Sequence, residues 1–295
     1  MKKKVVGLGF FDGVHIGHGA LLLRVRQLAE EKGLIPSAMT YSSHPSQVLG
    51  VERTKLLSTP EERVELIRSL YGIEDVTVRE FTKEYAALYP REFVSRILVS
   101  SMGAAHVVAG FDFRFGKNGQ GDAKLLSELC AEFEIGCDII DEVKLGGEKV
   151  SSSRIRELIR CGDAEEAARF LGHNHCIISP VIHGESLGRE MSFPTINQEF
   201  SDNAEVPRFG VYVSLVTVHG KKYRAITNIG TRPTVSDTTV ARAETHILDF
   251  NGELYGEVAK TEIVKFLREE RKFSSLSELS EQIARDVGCA RLVKV

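Results

Sequence analysis

The chain has 295 residues and a formal net charge of −3, and 42% of its residues are hydrophobic. This length exceeds the usual size of one domain, so we expect two domains, each with its own hydrophobic core. The small net charge gives no broad basic field, which argues against nucleic acid as the main partner. The 5 cysteines form no C-x-x-C pair, so we expect reduced thiols rather than a disulfide framework or a zinc site.

The sequence also argues against a membrane partner. No stretch approaches the ~20 apolar residues of a membrane span. The apolar run after the N-terminal lysines is short and broken by glycine, unlike a signal peptide. We therefore expect a cytoplasmic protein, and the sequence leaves its oligomeric state open.

The first motif, GLGFFDGVHIGH at residues 7–18, follows a short apolar run. It predicts a strand, a tight turn and then a helix that ends at Gly33. His15 and His18 would lie in the first turn of that helix, where free N–H groups and the helix dipole favour an anion. We expect a phosphate site there. The alternative is that one histidine caps the helix and the other packs in the core.

Strand and helix patterns alternate through the first half of the chain. The expected strands after the first helix lie at 34–41, 75–78, 105–109 and 137–143, and the expected helices start at Pro60, Pro90 and Lys124. Such alternation predicts a nucleotidyltransferase-like α/β domain, a doubly wound parallel sheet with helices on both faces. Ligands of such folds bind beyond the carboxyl ends of the strands, and the histidine turn follows one of those ends.

Two later segments of this domain are candidates for the same site. The loop GFDFRFGKNGQGD at 110–122 follows a strand and offers aromatic rings as a flat face for a ring system; a flexible surface loop is the alternative. The segment SSSRIR at 151–156 begins a helix that one serine would cap. Its hydroxyl and guanidinium groups also fit a triphosphate or a departing pyrophosphate. We place the end of the first domain, residues 1–172, after the helix that follows.

From residue 173 onward the pattern is typical of β structure. The expected strands lie at 177–182, 211–218, 223–229, 245–249 and 259–264, and a helix is expected at 276–287. Antiparallel sheets of few strands usually avoid exposed edges by closing. We therefore expect residues 173–295 to form a small antiparallel β-barrel with a C-terminal helix.

Two short segments of the second domain are candidates for chemistry. The segment FPTIN at 193–197 is expected to form a turn, and its Thr195 and Asn197 oxygens could complete a Mg²⁺ shell with substrate phosphates. Turn formation alone is the alternative. Glu244 is expected at the start of a strand, where a carboxylate is poorly suited to burial, and a solvated strand edge is the alternative.

Seven motifs, in order and over nearly the whole chain, resemble those of the bacterial bifunctional riboflavin kinase/FMN adenylyltransferase (FAD synthetase) family. They are GFFDGVHIGH, GFDFRFGKNGQGD, SSSRIR, GRE-x-SFPTIN, FGVYV, TNIGTRPTV and AETHILDFNGELYGE. The resemblance implies ATP-dependent phosphorylation of riboflavin to FMN in the C-terminal domain. In the N-terminal domain it implies adenylylation of FMN to FAD with release of pyrophosphate, and it implies Mg²⁺ as the metal.

Three alternatives stay open beside this function. The chain could retain only one of the two activities, or it could be an adenylyl or cytidylyl transferase for another substrate with an accessory barrel. It could also be a non-catalytic flavin-binding regulator. Retention of Glu244, Thr195 and Asn197 argues against the second alternative, and retention of His15 and His18 argues against the third.

The resemblance also implies residue roles. The catalytic residues would be His15, His18, Asp112 and, as the base for the ribityl hydroxyl, Glu244. The nucleotide- or phosphate-binding residues would be Gly9, Phe11, Asp12, Gly13, Ser152, Arg156, Gly188 and Arg189. The flavin-binding residues would be Phe113, Arg268 and Phe273, and the Mg²⁺ ligands would be Thr195 and Asn197.

The sequence departs from the family's pattern at four places. Phe10 stands where the family often has Asn and is expected to remove a polar contact to the nucleotide. Ser192 stands where Gly is usual, and it adds a side chain to the kinase loop. Ser153 stands where Thr is frequent and keeps the hydroxyl, and residues 173–175 are His-Asn-His where Arg-Pro-Tyr is common.

Overall fold

The computed structural model describes residues 3–48, 50, 54–183, 193–233 and 239–294. By its contacts the chain divides into two compact units, residues 1–152 and 153–295. The boundary expected at Gly172 concerns independent folding and stays a prediction. In the described part of the chain, no helix is both long and apolar enough to cross a membrane.

The first unit contains a five-stranded parallel sheet with the order β3-β2-β1-β4-β5. Its strands are β1 (Lys4–Leu8), β2 (Ile35–Tyr41), β3 (Asp75–Arg79), β4 (Ala104–Gly110) and β5 (Gly136–Ile140). A hairpin of β6 (Lys144–Leu145) and β7 (Glu148–Lys149) follows. The central strand β1 pairs in parallel with β2 on one side and with β4 on the other. The strand order thus reverses beside β1, which confirms the doubly wound sheet and puts a binding crevice at the carboxyl ends of β1 and β4.

Helices connect these strands. They are α1 (Ile16–Lys32), α2 (Pro45–Val48), α3 (Pro60–Tyr71), α4 (Lys83–Ala86), α5 (Pro90–Glu92) and α6 (Ala123–Glu132). Short 3₁₀ turns lie at Asp12–Val14 and Lys117–Gly119, and α5 continues as a π-helix over Phe93–Ser101. Gly33 ends α1 in a left-handed conformation, with φ 63°. Thr59 begins α3 with a capping box, so the end of α1 and the start of α3 are where the sequence predicts them.

The sheet of the first unit is covered on both faces. Val5 of β1 packs with Leu22 and Val25 of α1 on one face. Leu8, on the opposite face, packs in a second cluster with Phe93. This arrangement follows from the alternation of side chains along a strand, because an apolar run can then fill two cores at once.

The second unit is built on a six-stranded antiparallel sheet with the order β8-β13-β10-β11-β12-β9. The strands are β8 (His175–Pro180), β9 (Thr195–Glu199), β10 (Gly210–Val218), β11 (Lys221–Pro233), β12 (Thr239–Ile247) and β13 (Val258–Arg268). Its helices are α7 (Ser152–Cys161), α8 (Ala164–Leu171) and α9 (Leu276–Leu292). The two edges of the sheet approach each other, since the Ile182 N–H donates to the Asn197 carbonyl at 2.9 Å. The sheet is therefore a partly closed barrel, as predicted.

Two details of the predicted barrel are wrong. Thr195–Glu199 forms strand β9 rather than a turn, because Ile196 and Gln198 alternate inward while β12 supplies a partner for the backbone. Strand β12 begins at Thr239 and not at Thr245, because its backbone already pairs with β11 from Thr239 onward. Glu244 consequently lies inside a strand and not at its start.

The interior of the barrel contains a polar layer between two apolar clusters. Its members, one from each strand, are Ser179, Gln198, Ser214, Thr227, Thr245 and Thr261. The Thr227 hydroxyl lies 2.6 Å from that of Ser214 and 2.9 Å from that of Thr245. Gln198 accepts from the Thr261 hydroxyl at 2.6 Å and donates to the Ala259 carbonyl at 2.8 Å. These bonds offset the cost of removing the polar groups from water.

Helix α9 covers part of the outer face of this sheet. Ile283 and Ala290 of the helix pack with Val213 of β10 and Ile226 of β11. Arg224 donates to the Ala290 carbonyl at 2.9 Å and to the carbonyl of Val293, just after the helix, at 2.6 Å. The C-terminal helix expected from the sequence is therefore confirmed, and it extends to Leu292.

Candidate active sites

The turn between β1 and α1 is shaped by a buried aromatic ring. Phe11 adopts a left-handed conformation with φ 56°, and Gly13 follows with φ 75°. The fully buried Phe11 ring lies over Gly9, where a Cβ would come within 2.7 Å of the ring. The same ring contacts His18 edge-on at 5.3 Å. In this geometry Phe11 supports the histidine from the core, and Gly9 makes room for that support.

His15 and His18 lie together at the start of α1: His18 is in the first turn, as predicted, and His15 precedes the helix as its N-cap, the position that the alternative expects of one histidine. His15 Nδ1 caps the helix by accepting from the His18 N–H at 3.2 Å, and the two rings stack with centroids 3.5 Å apart. Burial lowers the pKa of His18 well below its usual value, and the charges of His15 and Arg63 lower this pKa further. His18 is therefore neutral at pH 7. Its buried Nδ1 has no hydrogen-bond partner among the described residues, which leaves it available to a ligand.

Asp12 ties this turn to a neighbouring segment. Its carboxylate is 2% exposed and accepts from the N–H groups of Leu57 at 2.9 Å and Ser58 at 3.2 Å. The Ser58 hydroxyl accepts from the Gly13 N–H at 2.8 Å, and the Ser152 hydroxyl donates to the Asp12 carbonyl at 3.1 Å. These bonds hold the turn in place, so Asp12 and Ser152 support the backbone around the histidines.

A buried arginine beneath the turn is a residue that the sequence analysis missed. Arg63 of α3 is fully buried, and its Nη1 donates to the Phe10 carbonyl at 2.7 Å and to the Thr40 hydroxyl at 3.0 Å. Its guanidinium lies 4.2 Å from the centre of the Phe10 ring. Burial lowers the pKa of Arg63 to about 10, so the side chain is still charged at pH 7. Phe10 thus forms a cation–π contact with Arg63.

The helical pattern of α3 explains why Arg63 was missed. The spacing favours Val64, Ile67 and Leu70 as the apolar face, but Leu70 is 43% exposed. The buried residues of α3 are Arg63, Leu66 and Ile67. Apolar periodicity cannot identify a buried charge, because it treats every arginine as a surface residue.

Asp112 and Phe113 lie in the loop after β4. Asp112 is exposed, and its Oδ2 lies 3.7 Å from Lys149 Nζ of β7. The same ammonium group lies 4.7 Å from the centre of the Phe111 ring. Phe113 is half-buried, with its ring stacked on that of Phe115 at 5.7 Å. Lys149 is thus a cation beside a predicted catalytic carboxylate, and no motif pointed to it.

Arg156 lies in the second turn of α7. It is 8% exposed, and its Nη1 lies 3.5 Å from the Ser153 hydroxyl. A guanidinium that is removed from water in this way usually has an anionic or carbonyl partner. Its role in phosphate binding stays a prediction.

Thr195, Asn197 and Glu244 share the outer face of the barrel. The register pairs Asn197 of β9 with Glu244 of β12, and pairs Glu244 with Asn228 of β11. Thr195 stands two residues before Asn197 and therefore on the same face. Directly opposed residues of antiparallel strands have Cβ atoms about 4.5–5.5 Å apart. We call Asn197, Glu244 and Asn228 the amide–carboxylate row; its third member was not predicted from the sequence.

The oxygen atoms near this row fit a divalent cation. Asn197 is 4% exposed, and its Oδ1 is buried with no hydrogen-bond partner among the described residues. Such an oxygen is costly unless a donor or a cation meets it. Hydroxyl and amide oxygens are hard ligands of the kind that Mg²⁺ accepts. Within the described ranges no cluster of three His, Cys, Asp or Glu residues forms a metal site, so a cation here would need substrate phosphates as further ligands.

A cavity of about 270 Å³ lies beside Thr195. Pro194, Thr195, Phe250 and Tyr255 are among the residues that line it. The Tyr255 ring also stacks on His183 at 3.9 Å. A cavity of this size with aromatic walls can take a flat ring system.

Arg268 and Phe273, the predicted flavin contacts of this unit, lie at the end of β13 and in the segment after it. Arg268 donates through Nε and Nη2 to the Asp286 carboxylate of α9, at 3.0 and 2.8 Å. Asp286 is 4% exposed. The Phe273 ring lies 4.6 Å from the Arg271 guanidinium and 5.9 Å from that of Arg268. Arg268 therefore anchors the strand to the helix in this structure, a contact that the sequence did not indicate.

Three residues named from the sequence lie outside the described residues. They are Gly188, Arg189 and Ser192. The loop over the nucleotide phosphates to which the first two were assigned stays a prediction.

The fold and the two sites define a two-unit transferase that acts on phosphate groups. Residues 1–154 match the model of the FAD synthetase family, and residues 171–293 match that of the riboflavin kinase family. The chain belongs to the bifunctional riboflavin kinase/FMN adenylyltransferase family. The resemblance inferred from the order of the seven motifs is therefore confirmed.

Individual relatives agree over almost the whole chain. A bifunctional riboflavin kinase/FMN adenylyltransferase of Bacillus subtilis (strain 168) is 39% identical, over 96% of this chain and 90% of its own. A protein of the same name from Escherichia coli (strain K12) is 34% identical, over 97% and 91%. A crystal structure titled macrolide-efflux protein, from Streptococcus pneumoniae, is 31% identical with a TM-score of 0.89, and the match covers 99% of this chain and 95% of that one. The similarity to that structure concerns the fold of the whole chain.

Membership fixes the order of the two enzymatic parts. The adenylyltransferase part precedes the kinase part, and both reactions use ATP. The chain is thus an enzyme with two transferase activities. This conclusion replaces the alternative hypotheses of a single activity and of a non-catalytic regulator.

Proposed function

We propose that residues 173–295 phosphorylate riboflavin to FMN and that residues 1–172 transfer AMP from ATP to FMN, with release of pyrophosphate. The observation that carries the proposal is the strand register that pairs Glu244 with Asn197. It brings a carboxylate next to a buried amide oxygen that has no partner within the described ranges. A base and a metal ligand side by side are what phosphoryl transfer to an alcohol requires.

In the kinase unit, Glu244 accepts the proton of the terminal ribityl hydroxyl as that oxygen attacks the γ-phosphate, and the bond from the γ-phosphorus to the departing ADP breaks. An alcohol is a poor nucleophile at neutral pH, so a positioned carboxylate contributes about 10²–10⁴-fold to the rate. Thr195 and Asn197 hold Mg²⁺, which when bound supplies positive charge to the phosphates. The cavity beside Thr195 receives the nucleoside of ATP, with its base near the Phe250 and Tyr255 rings.

In the adenylyltransferase unit, the nucleophile is the phosphate of FMN, which is already an anion. No base is needed, and His15 and His18 stabilise the negative charge that grows on the α-phosphate. His18 acts as a neutral donor, because burial keeps its pKa low. The N-terminus of α1 adds its own N–H groups and dipole.

The remaining assignments concern how the substrates are held in this unit. Asp112 and Lys149 border the reacting phosphates, and Phe113 contacts the flavin ring. Ser152 and Arg156 hold the departing pyrophosphate. Support comes from the position of the Asp112 loop at the carboxyl end of β4, next to the crevice of the doubly wound sheet.

Two further points complete the proposal. Arg268 and Phe273 lie on the flavin side of the kinase site. The binding partners of the protein are riboflavin, FMN, FAD and ATP, and they include neither nucleic acid nor a membrane. We also propose that the enzyme works in the cytoplasm, since no disulfide joins the cysteines within the described residues.

The test is a crossed product analysis. The full chain is incubated with ATP and Mg²⁺, with either riboflavin or FMN as the flavin, and the products are separated by chromatography. We expect Glu244→Gln to lose FMN formation from riboflavin while it still converts FMN to FAD, and His18→Ala to show the reverse. Equal loss of both reactions in either variant would contradict the assignment of one reaction to each unit.

A further inference from the structure

We infer that Asn228 is a further substrate-binding residue of the riboflavin kinase site. It accepts a hydrogen bond from the secondary hydroxyl next to the reacting end of the ribityl chain. Glu270 is the residue that positions Asn228. This inference rests on the proposed function of Glu244 as the base. It names two residues that none of the sequence motifs assigned to a role.

The place of Asn228 in the amide–carboxylate row is the first argument. Glu244 stands between Asn197 and Asn228 in the register. The metal and the phosphates of ATP are proposed on the Asn197 side, so the acceptor substrate must approach from the Asn228 side. The spacing of opposed residues, about 4.5–5.5 Å between Cβ atoms, brings the side chain of Asn228 to the hydroxyl beside the one that Glu244 deprotonates.

The orientation of the Asn228 amide is the second argument. Its Nδ2 donates to Glu270 Oε1 at 2.9 Å, which fixes which end of the amide carries the oxygen. Its Oδ1 is buried and has no hydrogen-bond partner in the described part of the chain. An amide oxygen can only accept, and the ribityl hydroxyls are donors. The structure thus offers an oriented acceptor where the substrate carries a donor.

The setting of Glu270 is the third argument. This residue follows β13 and extends across β11, over Gly230, where a Cβ would collide with the Glu270 carboxylate. Gly230 does not have a positive φ, so the glycine serves to leave space and not to allow an unusual backbone. Arg268, two residues before Glu270, is fixed to Asp286 of α9. Glu270 is exposed, and its carboxylate is held by the bond from the Asn228 amide, two residues after the chain is anchored at Arg268.

The test compares riboflavin with 4′-deoxyriboflavin, which lacks the secondary hydroxyl in question, as substrates of the full chain. We expect the unmodified enzyme to prefer riboflavin by about tenfold in kcat/KM, the usual effect of one hydrogen bond. Asn228→Ala should lower kcat/KM for riboflavin by about the same factor and leave that for the deoxy compound unchanged. A purely structural role of Asn228 would lower both values together.

Variants of Glu270 and of Gly230 beneath it test the positioning role through the same preference for riboflavin. Glu270→Gln retains an acceptor for the Asn228 amide and should preserve the preference for riboflavin. Glu270→Ala and Gly230→Ala, which removes the carboxylate by collision, should both reduce that preference. The kcat/KM for 4′-deoxyriboflavin in the same samples reports whether the kinase unit is intact, because that substrate does not use the hydrogen bond.

Two results would overturn the inference: an unmodified enzyme that does not distinguish the two flavins, or an Asn228→Ala enzyme that still distinguishes them fully. If Asn228→Ala does not fold, a Gly230→Ala enzyme that still prefers riboflavin over 4′-deoxyriboflavin to the full extent would also overturn the inference. Neither result bears on the base, because full activity of Glu244→Gln is what would contradict that assignment.

Discussion

The two candidate sites hold their polar groups by different means. In the first unit the histidines stand on an irregular turn that depends on buried supports, among them the Asp12 carboxylate and the Arg63 guanidinium. In the second unit Asn197, Glu244 and Asn228 stand on regular strands, and the sheet register places them opposite one another. A site on a loop therefore needs buried polar neighbours to fix its geometry, whereas a site on a sheet takes its geometry from the backbone.

The largest expected effect concerns the base of the sheet-borne site. Glu244→Gln keeps the shape of the side chain but cannot take a proton, so FMN formation should fall about 10²–10⁴-fold. Initial rates with saturating riboflavin and ATP measure this loss. Glu257→Gln, an exposed carboxylate of the same unit, is the matched control and should behave as the unmodified enzyme. A normal rate for Glu244→Gln would show that Glu244 is not the base and is only a solvated residue of the strand.

The corresponding change in the loop-borne site is His18→Ala. It removes a neutral donor aimed at the phosphate, which is worth about 2.7–4 kcal/mol for a preorganised donor, so FAD formation from FMN should fall about 10²–10³-fold. The rate of pyrophosphate release from FMN and ATP measures it. The exposed His219 provides the control variant His219→Ala. Should FMN formation fall by a similar factor, the separation of the two sites would be wrong.

The free energy of unfolding should depend on pH through His175, a buried histidine of the second unit. Burial lowers the pKa of His175 to about 4, and the charge of His173 contributes. Because the unfolded chain binds a proton below pH 6.5 while the folded one resists it, the free energy of unfolding should fall between pH 6.5 and pH 4. The loss should reach about 3 kcal/mol, because each pH unit between the unfolded and folded pKa values is worth about 1.36 kcal/mol.

Denaturant unfolding at several pH values measures this dependence. His175→Gln cannot titrate, so its curve should be flatter than that of the unmodified chain over the same range. Parallel curves for the two proteins would show that the histidine is protonated equally in both states.

A support of the loop-borne site should affect stability and activity together. Asp12→Ala leaves the N–H groups of Leu57 and Ser58 without their acceptor, at a cost of about 1–3 kcal/mol. We expect a lower free energy of unfolding and slower FAD formation. Asp12→Asn keeps an acceptor oxygen and should lose less of both. Slower FAD formation without a change in stability would show that Asp12 contacts the substrate directly.

The smallest effect on stability is expected in the sheet-borne site. Thr195→Ala leaves the strand pairing of β9 intact, so thermal unfolding should hardly change. Kinase activity should instead require more Mg²⁺, because one oxygen ligand is lost. Titration of Mg²⁺ at fixed ATP measures the shift. An unchanged Mg²⁺ requirement would exclude Thr195 as a ligand.

The sequence predicted the features of this chain that depend on neighbouring residues. The strand before Gly9, the helix that follows His15 and the helix that starts at Pro60 follow from local preferences and are confirmed. Arg63 could not be predicted, because its burial depends on carbonyl and hydroxyl groups far along the chain.

The second unit shows the same limit in another form. Pro194, Thr195 and Asn197 are residues that favour turns, yet pairing with β12 makes the segment a strand. Asn228 lies within the TNIGTRPTV motif, which signals similarity but not the register that aligns it with Glu244. Roles that depend on the pairing of distant strands are thus the part that a single sequence does not disclose.

The polar layer of the barrel has a consequence for chemistry on the opposite side of the sheet. Thr227 precedes Asn228 and Thr245 follows Glu244, so the hydroxyl pair inside and the amide–carboxylate pair outside belong to the same two strands at the same level. If either strand slid by one residue, its hydroxyl would turn outward and the polar side chain next to it would turn into the barrel interior. The hydrogen bond between the two threonines therefore fixes the register of β11 and β12. In this way a contact inside the barrel sets the distance between Asn228 and Glu244, the residues proposed to bind the substrate.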